Sequence, residues 1–340
     1  MAALARPAAA DDANKDSNFW EQLITPNKKE VELILRHVTE LQTTATQYGY
    51  GYGYGGTVDY GIDNHTSEEQ RNQRLRRLED AFGMLRYARR ELDPSHPKVL
   101  YELGRAADEI ERYDDALDAL AAFLEVADAS RDSYRIGEAH LRIGRIHARY
   151  GDWDEAIDSF REALVRPSGT LQTTVMLFLG GAYMQADRLD DAIDILSQAA
   201  SGSPYAAYTG SQAPLFALAV AYDRDEQITR SHEVLEKVRV MDPNFSYVLG
   251  YPDYNFSTEP LMVPPHELHY FRGLRFEATG MLDEARVEWL AYARAENEGS
   301  RFRSRALEHV EAIDELQDER AKETETKSTT TVTPTVFYPP

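Results

Sequence analysis

Residues 140–167 read HLRIGRIHARYGDWDEAIDSFREALVRP, and this stretch decides the fold. Its apolar residues recur at helical spacing on both sides of a short Gly-Asp turn, which predicts two helices in one hairpin. Two antiparallel helices approach closely where small residues such as Gly144 and Ala156 meet, and a large residue such as Phe160 fills the space beside them. The stretch therefore predicts a tightly packed helical hairpin that ends at Pro167.

The same pattern recurs along the chain. The small residue of each predicted first helix is Gly104, Gly144, Gly180, Ala219 or Gly273. In four copies the second helix opens with two acidic residues and an alanine, in motifs that begin at Tyr113, Trp153, Leu189 and Leu282. Acidic residues in a first turn complement the helix dipole, so each motif predicts the start of a second helix. The fourth copy lacks the acidic pair, and the steps of 40, 36, 39 and 54 residues between the small residues predict lengthened loops.

These motifs resemble the tetratricopeptide repeat. His140-x2-Ile143-Gly144 and Met176-x2-Leu179-Gly180-x2-Tyr183 stand where the family has Trp-x2-Leu-Gly-x2-Tyr, although no copy keeps the leading Trp. The resemblance implies an all-α fold, a right-handed α-α superhelix (solenoid) of about five tetratricopeptide-like helical hairpins with flanking capping helices. The predicted hairpins span residues 97–127, 137–167, 173–204, 212–243 and 266–297.

The segments outside the array are predicted from composition and periodicity. They are a disordered leader at 1–24, N-terminal helices at 25–92 with a Gly/Tyr-rich loop at 46–65, a capping helix at 301–321 with Leu307, Val310, Ile313 and Leu316 facing inward, and a disordered tail at 322–340. Two interpretations stay open for the leader. It is a disordered Ala-rich segment, or it is the remnant of an export signal whose start lies upstream, which would favour a periplasmic location over a cytoplasmic one.

Composition excludes several classes of function. The chain carries 58 acidic and 37 basic residues, a net charge of −21, which argues against a nucleic-acid partner because phosphate binding requires a basic surface. The absence of cysteine excludes disulfides, thiolate zinc sites and a cysteine nucleophile. The sequence also lacks an apolar stretch of about 20 residues, so no membrane span is predicted.

No catalytic motif is present, and we predict neither enzymatic activity nor a cofactor. The nearest approach to a metal site is the His266–His269 pair, which a metal-dependent enzyme would have to complete with a third ligand that the sequence does not show. Ordinary surface and packing roles are the favoured interpretation of both histidines.

The concave face of the predicted solenoid is the candidate binding site, since helical repeats bind peptides there. By helical phase its lining is Lys98, Tyr101, Arg105, Arg142, Arg145, Arg149, Leu177, Phe178, Met184, Phe216, Val220, Tyr270 and Phe271. The arginines form a basic cluster that suits a partner's acidic segment or free carboxylate. The alternative is that they pair with acidic residues of neighbouring helices or of the protein's own tail.

The predicted function is therefore a non-catalytic scaffold that binds a peptide or partner protein in this groove and, if the chain is exported, takes part in assembling a cell-envelope complex. An alternative is a carbohydrate- or small-ligand-binding module in which the aromatic loop at 244–265, with Tyr270 and Phe271, provides a stacking surface. The Tyr/Gly-rich segment from Tyr48 to Tyr60 is predicted to be a flexible linker rather than a self-associating strand.

Overall fold

The computed structural model describes residues 27–42, 68–165, 170–201, 212–245, 264–295 and 301–329, and within them the regular structure is entirely helical. The helices are α1 (27–42), α2 (Glu68–Tyr87), α3 (Pro97–Glu109), α4 (Tyr113–Val126), α5 (Ser133–Tyr150), α6 (Trp153–Val165), α7 (Thr170–Gln185), α8 (Leu189–Ser201), α9 (Gln212–Arg224), α10 (Ile228–Met241), α11 (Glu267–Ala278), α12 (Leu282–Arg294) and α13 (Arg303–Thr329). The prediction of an all-α repeat fold is confirmed. The predictions for 1–24, 46–65 and most of the aromatic loop lie outside the described residues.

The chain divides into two compact units at Val175–Met176, within α7. Unit 1, up to Val175, contains the hairpins α3–α4 and α5–α6; unit 2, from Met176, contains α9–α10 and α11–α12. In both units the first helix of each hairpin packs against its second helix.

Each first-helix glycine contacts a large side chain of the second helix. A Cβ atom added to Gly104, Gly144, Gly180 or Gly273 would lie 2.5–2.7 Å from Leu120, Phe160, Leu196 or Trp289, respectively. The nearest atoms therefore belong to the large residue that comes four positions after the motif's alanine, rather than to the alanine that the sequence had suggested. A larger residue at these glycines would push the hairpin apart.

All five hairpins turn at the same place, seven residues after the small residue. Gly151 and Gly280 have φ angles of 81° and 77°, and Glu111, Asp187 and Glu226 hold the equivalent positions at 61°, 63° and 57°. A residue with this left-handed backbone conformation ends a helix, because it directs backbone N–H groups back to the helix's last carbonyl groups. Because non-glycine residues seldom adopt positive φ, the sequence did not reveal the three acidic copies.

The two ends of the described chain are capped by α1 and α13. Val31, Leu35 and Val38 of α1 are buried in one apolar cluster with Phe82 and Leu85 of α2. Helix α13 continues to Thr329, eight residues past the predicted end, because residues 322–329 include Glu and Lys and contain no Gly or Pro to stop the helix. Among the described helices none is long and apolar enough to cross a membrane.

The inward face of α13 agrees with the prediction at Val310 and Ile313 and differs from it at Leu307 and Leu316. Phe302, just before the helix, Ala306, Val310 and Ile313 are buried, whereas Leu307 and Leu316 are exposed. The positions of the two leucines had predicted a contact face rotated around the helix from the observed one, because part of the observed contact face consists of polar side chains.

Candidate functional site

The predicted groove residues are mostly buried. Ten of the thirteen have exposed fractions of 8% or less, and only Lys98, Arg105 and Arg149 are half-buried. Tyr270 and Phe271, predicted to stack on a carbohydrate, are fully buried. Among the predicted lining residues only these three expose part of their surface in this structure, and the binding role of the face stays a prediction. Arg142, for example, contacts Asp108 of α3, and Tyr270 contacts Asp223 of α9.

In unit 1 the inner face contains a buried ion cluster, which we call the Asp108 cluster: Tyr101, Asp108, Glu138 and Arg142. Arg142 Nη1 donates to Asp108 Oδ2 at 2.6 Å, and its Nη2 donates to Glu138 Oε1 at 3.0 Å. The Tyr101 hydroxyl donates to Glu138 Oε2 at 2.5 Å. Burial lowers the pKa of Arg142, but Asp108 and Glu138 outweigh it and hold the pKa well above the usual value. The Arg142 guanidinium therefore stays positively charged.

The other predicted arginines also contact residues of the chain itself. Arg145 Nη1 lies 3.9 Å from Asp108 Oδ2, and Arg105 Nη2 lies 3.1 Å from Glu102 Oε2. Arg105 also donates to Gln42 of α1, and Arg149 donates to the Tyr113 hydroxyl at 2.6 Å. Arg142, Arg145 and Arg105 thus pair with acidic residues of their own or neighbouring helices, as the alternative interpretation expects, and an acidic partner segment stays a prediction.

In unit 2 the corresponding face contains the Asp223 cluster: Asp223, Tyr270, Glu277, Arg305 and His309. Asp223 accepts hydrogen bonds from the Tyr270 hydroxyl at 2.6 Å and from Arg305 Nη2 at 2.8 Å. His309 Nε2 lies 3.0 Å from Asp223 Oδ2, and its Nδ1 lies 2.8 Å from Glu277 Oε2. Arg305 and His309 belong to α13, so this helix closes the cluster on α9 and α11.

Each ring nitrogen of His309 faces a carboxylate oxygen, which accepts hydrogen bonds, so the geometry favours a doubly protonated imidazole. Burial lowers its pKa, but the hydrogen bonds to Asp223 and Glu277 outweigh this effect and raise the pKa to about 9. Burial raises the pKa of Asp223, but the hydrogen bonds and charges of His309 and Arg305 outweigh it and hold that pKa below its usual range. The Trp289 ring stacks on the imidazole at 4.2 Å between centroids.

An arginine next to this cluster is enclosed by aromatic rings. The Arg224 guanidinium carbon lies 4.3 Å from the ring centroids of both Tyr270 and Phe302. Arg224 also donates to Glu267, which accepts a further hydrogen bond from the Tyr292 hydroxyl at 3.2 Å. Phe302, directly before α13, thus completes the aromatic enclosure of a buried cation.

The predicted histidine pair has two separate environments. His266 packs against Tyr292, with ring centroids 5.6 Å apart, and burial lowers its pKa. His269 Nδ1 lies 2.6 Å from Glu288 Oε2. Across the described residues, no group of three or more His, Asp or Glu side chains is arranged to hold a metal ion.

Sequence reasoning missed Arg305 and His309 as members of the inner face. It treated residues 301–321 only as an apolar cap, although two cationic side chains lie on the same helical face as Ala306 and Val310. Basic residues at otherwise inward positions were the available signal, because a buried cation requires an acidic partner.

Comparison with known proteins supports the repeat assignment. A sequence model described as tetratricopeptide repeat matches residues 101–170. No curated protein matches the chain. The crystal structure of MamA is 17% identical, with a TM-score of 0.43, and the match covers 53% of this chain and 96% of that one. The C-terminal part of a tetratricopeptide repeat-containing protein from Cytophaga hutchinsonii is 15% identical with the same TM-score of 0.43, covering 70% of this chain and 90% of that one.

At TM-scores below 0.5 the two structures add no argument, so the assignment depends on the matched residues and on the hairpins themselves. Arrays of this kind generally provide surfaces for protein–protein interaction. Residues 101–170 carry tetratricopeptide repeats, and the resemblance predicted from the sequence is confirmed.

Proposed function

We propose that the protein is a non-catalytic scaffold that binds a segment of a partner protein on the inner face of its first helices. The observation that carries this proposal is the Asp223 cluster, in which inner side chains of α9 and α11 bind side chains of another helix. The face thus presents carboxylates and aromatic rings in the geometry that a helical ligand needs.

Unit 1 supplies the partly accessible part of the inner face. Lys98, Arg105 and Arg149 are half-buried there. Arg105 donates a hydrogen bond to Gln42 and Arg149 donates one to the Tyr113 hydroxyl, so both side chains are engaged within the chain. We expect a partner segment to contact this rim, and assembly of a cell-envelope complex is the finer form of the proposal.

Site-specific photo-crosslinking in cells tests the proposal. A photoreactive amino acid replaces Lys98 in one variant and Asp158 in a matched control, since Asp158 lies on the second helix α6 and its side chain is 81% exposed. Inner-face binding predicts a discrete crosslinked partner from position 98 that is absent or much weaker from position 158. The same adducts from both positions would contradict the proposal.

A further inference from the structure

We propose that the inner face of unit 2 is a binding site for an amphipathic helix that carries an aromatic residue and two cations at positions i, i+3 and i+7. In this structure the chain's own segment from Phe302 to Val310 occupies the site as an internal ligand, which a partner helix with the same pattern displaces. The inference rests on the proposed function and names the chemistry of the partner.

Three side chains of the internal ligand make the specific contacts. Phe302 covers Arg224, Arg305 binds Asp223, and His309 bridges Asp223 and Glu277. Their spacing of three and four residues places them on one face of a helix. The buried Ala306 and Val310 lie beside them on the adjoining part of the helix surface, so the two sets together form the contact surface.

Charge complementarity determines the kind of partner. Arg224 pairs with Glu267, and the cations that face Asp223 and Glu277 come from α13. The segment supplies two matching cations, Arg305 and His309. Asp223 of α9 and Glu277 of α11 face the imidazole directly, and the Trp289 ring of α12 stacks on it. Tyr270 of α11 and Arg305 of α13 bind Asp223 next to the imidazole.

The position of α13 permits exchange. Helix α13 follows the α11–α12 hairpin and is the last described helix, so its undocking breaks only contacts that α13 itself makes. Beyond Val310, most of its side chains up to residue 323 are exposed, with Ile313 the fully buried exception among them. Desolvation offsets much of the attraction within a buried ion pair, so exchanging one such pair for an equivalent pair costs little net free energy. An attached ligand has a millimolar effective concentration, so a free helix must be present in excess or bind more tightly.

The test measures binding of a fluorescent peptide with the sequence of residues 301–317 to the full-length protein by anisotropy. We compare the wild type with Arg305→Ala, which weakens the internal ligand, and with Arg303→Ala, which removes the same charge from an exposed position of the same helix. We expect Arg305→Ala to bind the peptide about tenfold more tightly than the wild type and Arg303→Ala to resemble the wild type. A peptide with alanine at 302, 305 and 309 should not bind.

Equal affinity for both peptides, or no gain on Arg305→Ala, would overturn the inference. If Arg305→Ala does not fold, hydrogen exchange on the wild type decides. An excess of unlabelled peptide should then raise exchange in residues 303–313, and unchanged exchange overturns the inference. Crosslinking at Lys98 reports on unit 1 independently, so a fixed α13 together with a specific crosslink there would reject this inference and leave the proposed function standing.

Discussion

Asp108 in unit 1 and Asp223 in unit 2 occupy the same place in their repeats, four residues after Gly104 and Ala219, and both are buried. The cations beside Asp108 are Arg142 and Arg145, both on α5, which is preceded and followed by other helices of the array. The cations beside Asp223 are Arg305 and His309, on the last described helix. The same repeat position thus makes an ion pair within the array in unit 1. In unit 2 its ion pairs depend on α13, the last described helix, and on the titratable side chain of His309.

The largest effect is expected for Arg142→Met, which leaves Asp108 and Glu138 buried without their shared cation. Removing one partner of a buried ion pair costs roughly 3–5 kcal/mol of unfolding free energy. Urea unfolding followed by circular dichroism measures the loss. The matched control is Arg131→Met, whose side chain is 85% exposed and pairs with Asp128 on the surface at 3.6 Å, with an expected change under about 0.5 kcal/mol. Similar losses for both variants would show that the Asp108 cluster is unimportant.

The pH dependence of stability should separate the two units. The pKa of folded His309, about 9, lies above its ordinary value, so its contribution is fully present below about pH 6.5 and is lost as pH rises through 9. Its full size is on the order of 3 kcal/mol. Arg142 stays protonated throughout this range, so the Asp108 cluster should not respond.

Trp289 offers a probe for this titration because its ring stacks on His309. We expect the stability of unit 2 to fall between pH 6.5 and 9 in the wild type, whereas the fluorescence of the folded protein should change near pH 9, where folded His309 loses its proton. In His309→Gln neither should change through this range. A wild type with flat stability up to pH 9 would mean that His309 is not the cation described here.

Alanine at the packing glycines tests whether both units share one hairpin geometry. Gly144→Ala and Gly180→Ala should each cost about 1–3 kcal/mol, because the new Cβ overlaps Phe160 or Leu196. The loss should be larger at Gly144, because an aromatic ring adjusts less readily than a leucine side chain. The control is Gly83→Ala in α2, where no atom lies within 4 Å and a gain of about 0.5–1 kcal/mol is expected. Thermal melts of the three variants provide the comparison.

The smallest change in the free energy of unfolding is expected in the α9–α10 hairpin, whose second helix departs from the repeat motif. Ser231 stands where the other second helices have alanine, and its hydroxyl donates to the Ala219 carbonyl at 2.9 Å. Ser231→Ala should cost about 1 kcal/mol, the usual contribution of one such hydrogen bond. Ser304→Ala, at an exposed position of α13, is the control. Unchanged stability of both variants would show that the hydroxyl does not hold this hairpin together.

The hairpins could be predicted because their determinants are local. Gly144 and Phe160 lie within one short stretch, and helical spacing alone brings them face to face. The phase of Arg142 also followed from spacing. Its burial did not, because that depends on Asp108, which the preceding hairpin contributes from 34 residues away.

The contacts of α13 were beyond prediction for a related reason. His309 lies 86 residues from Asp223 in the sequence, and no periodic pattern connects the two residues. The exposed leucines of α13 favoured the wrong face, because periodicity detects apolar contacts and the Asp223 cluster is ionic. Sequence therefore predicts which residues face inward better than it predicts what covers them.

Hydrogen exchange of the full-length protein at pH 7 and pH 9.5, corrected for intrinsic exchange rates, compares the two clusters in one measurement. The account predicts that protection of residues 303–313 in α13 falls at the higher pH, whereas protection of α5 around Arg142 is retained. Equal loss in both helices, or unchanged protection of α13, would contradict the claim that one repeat position is fixed in unit 1 and releasable in unit 2.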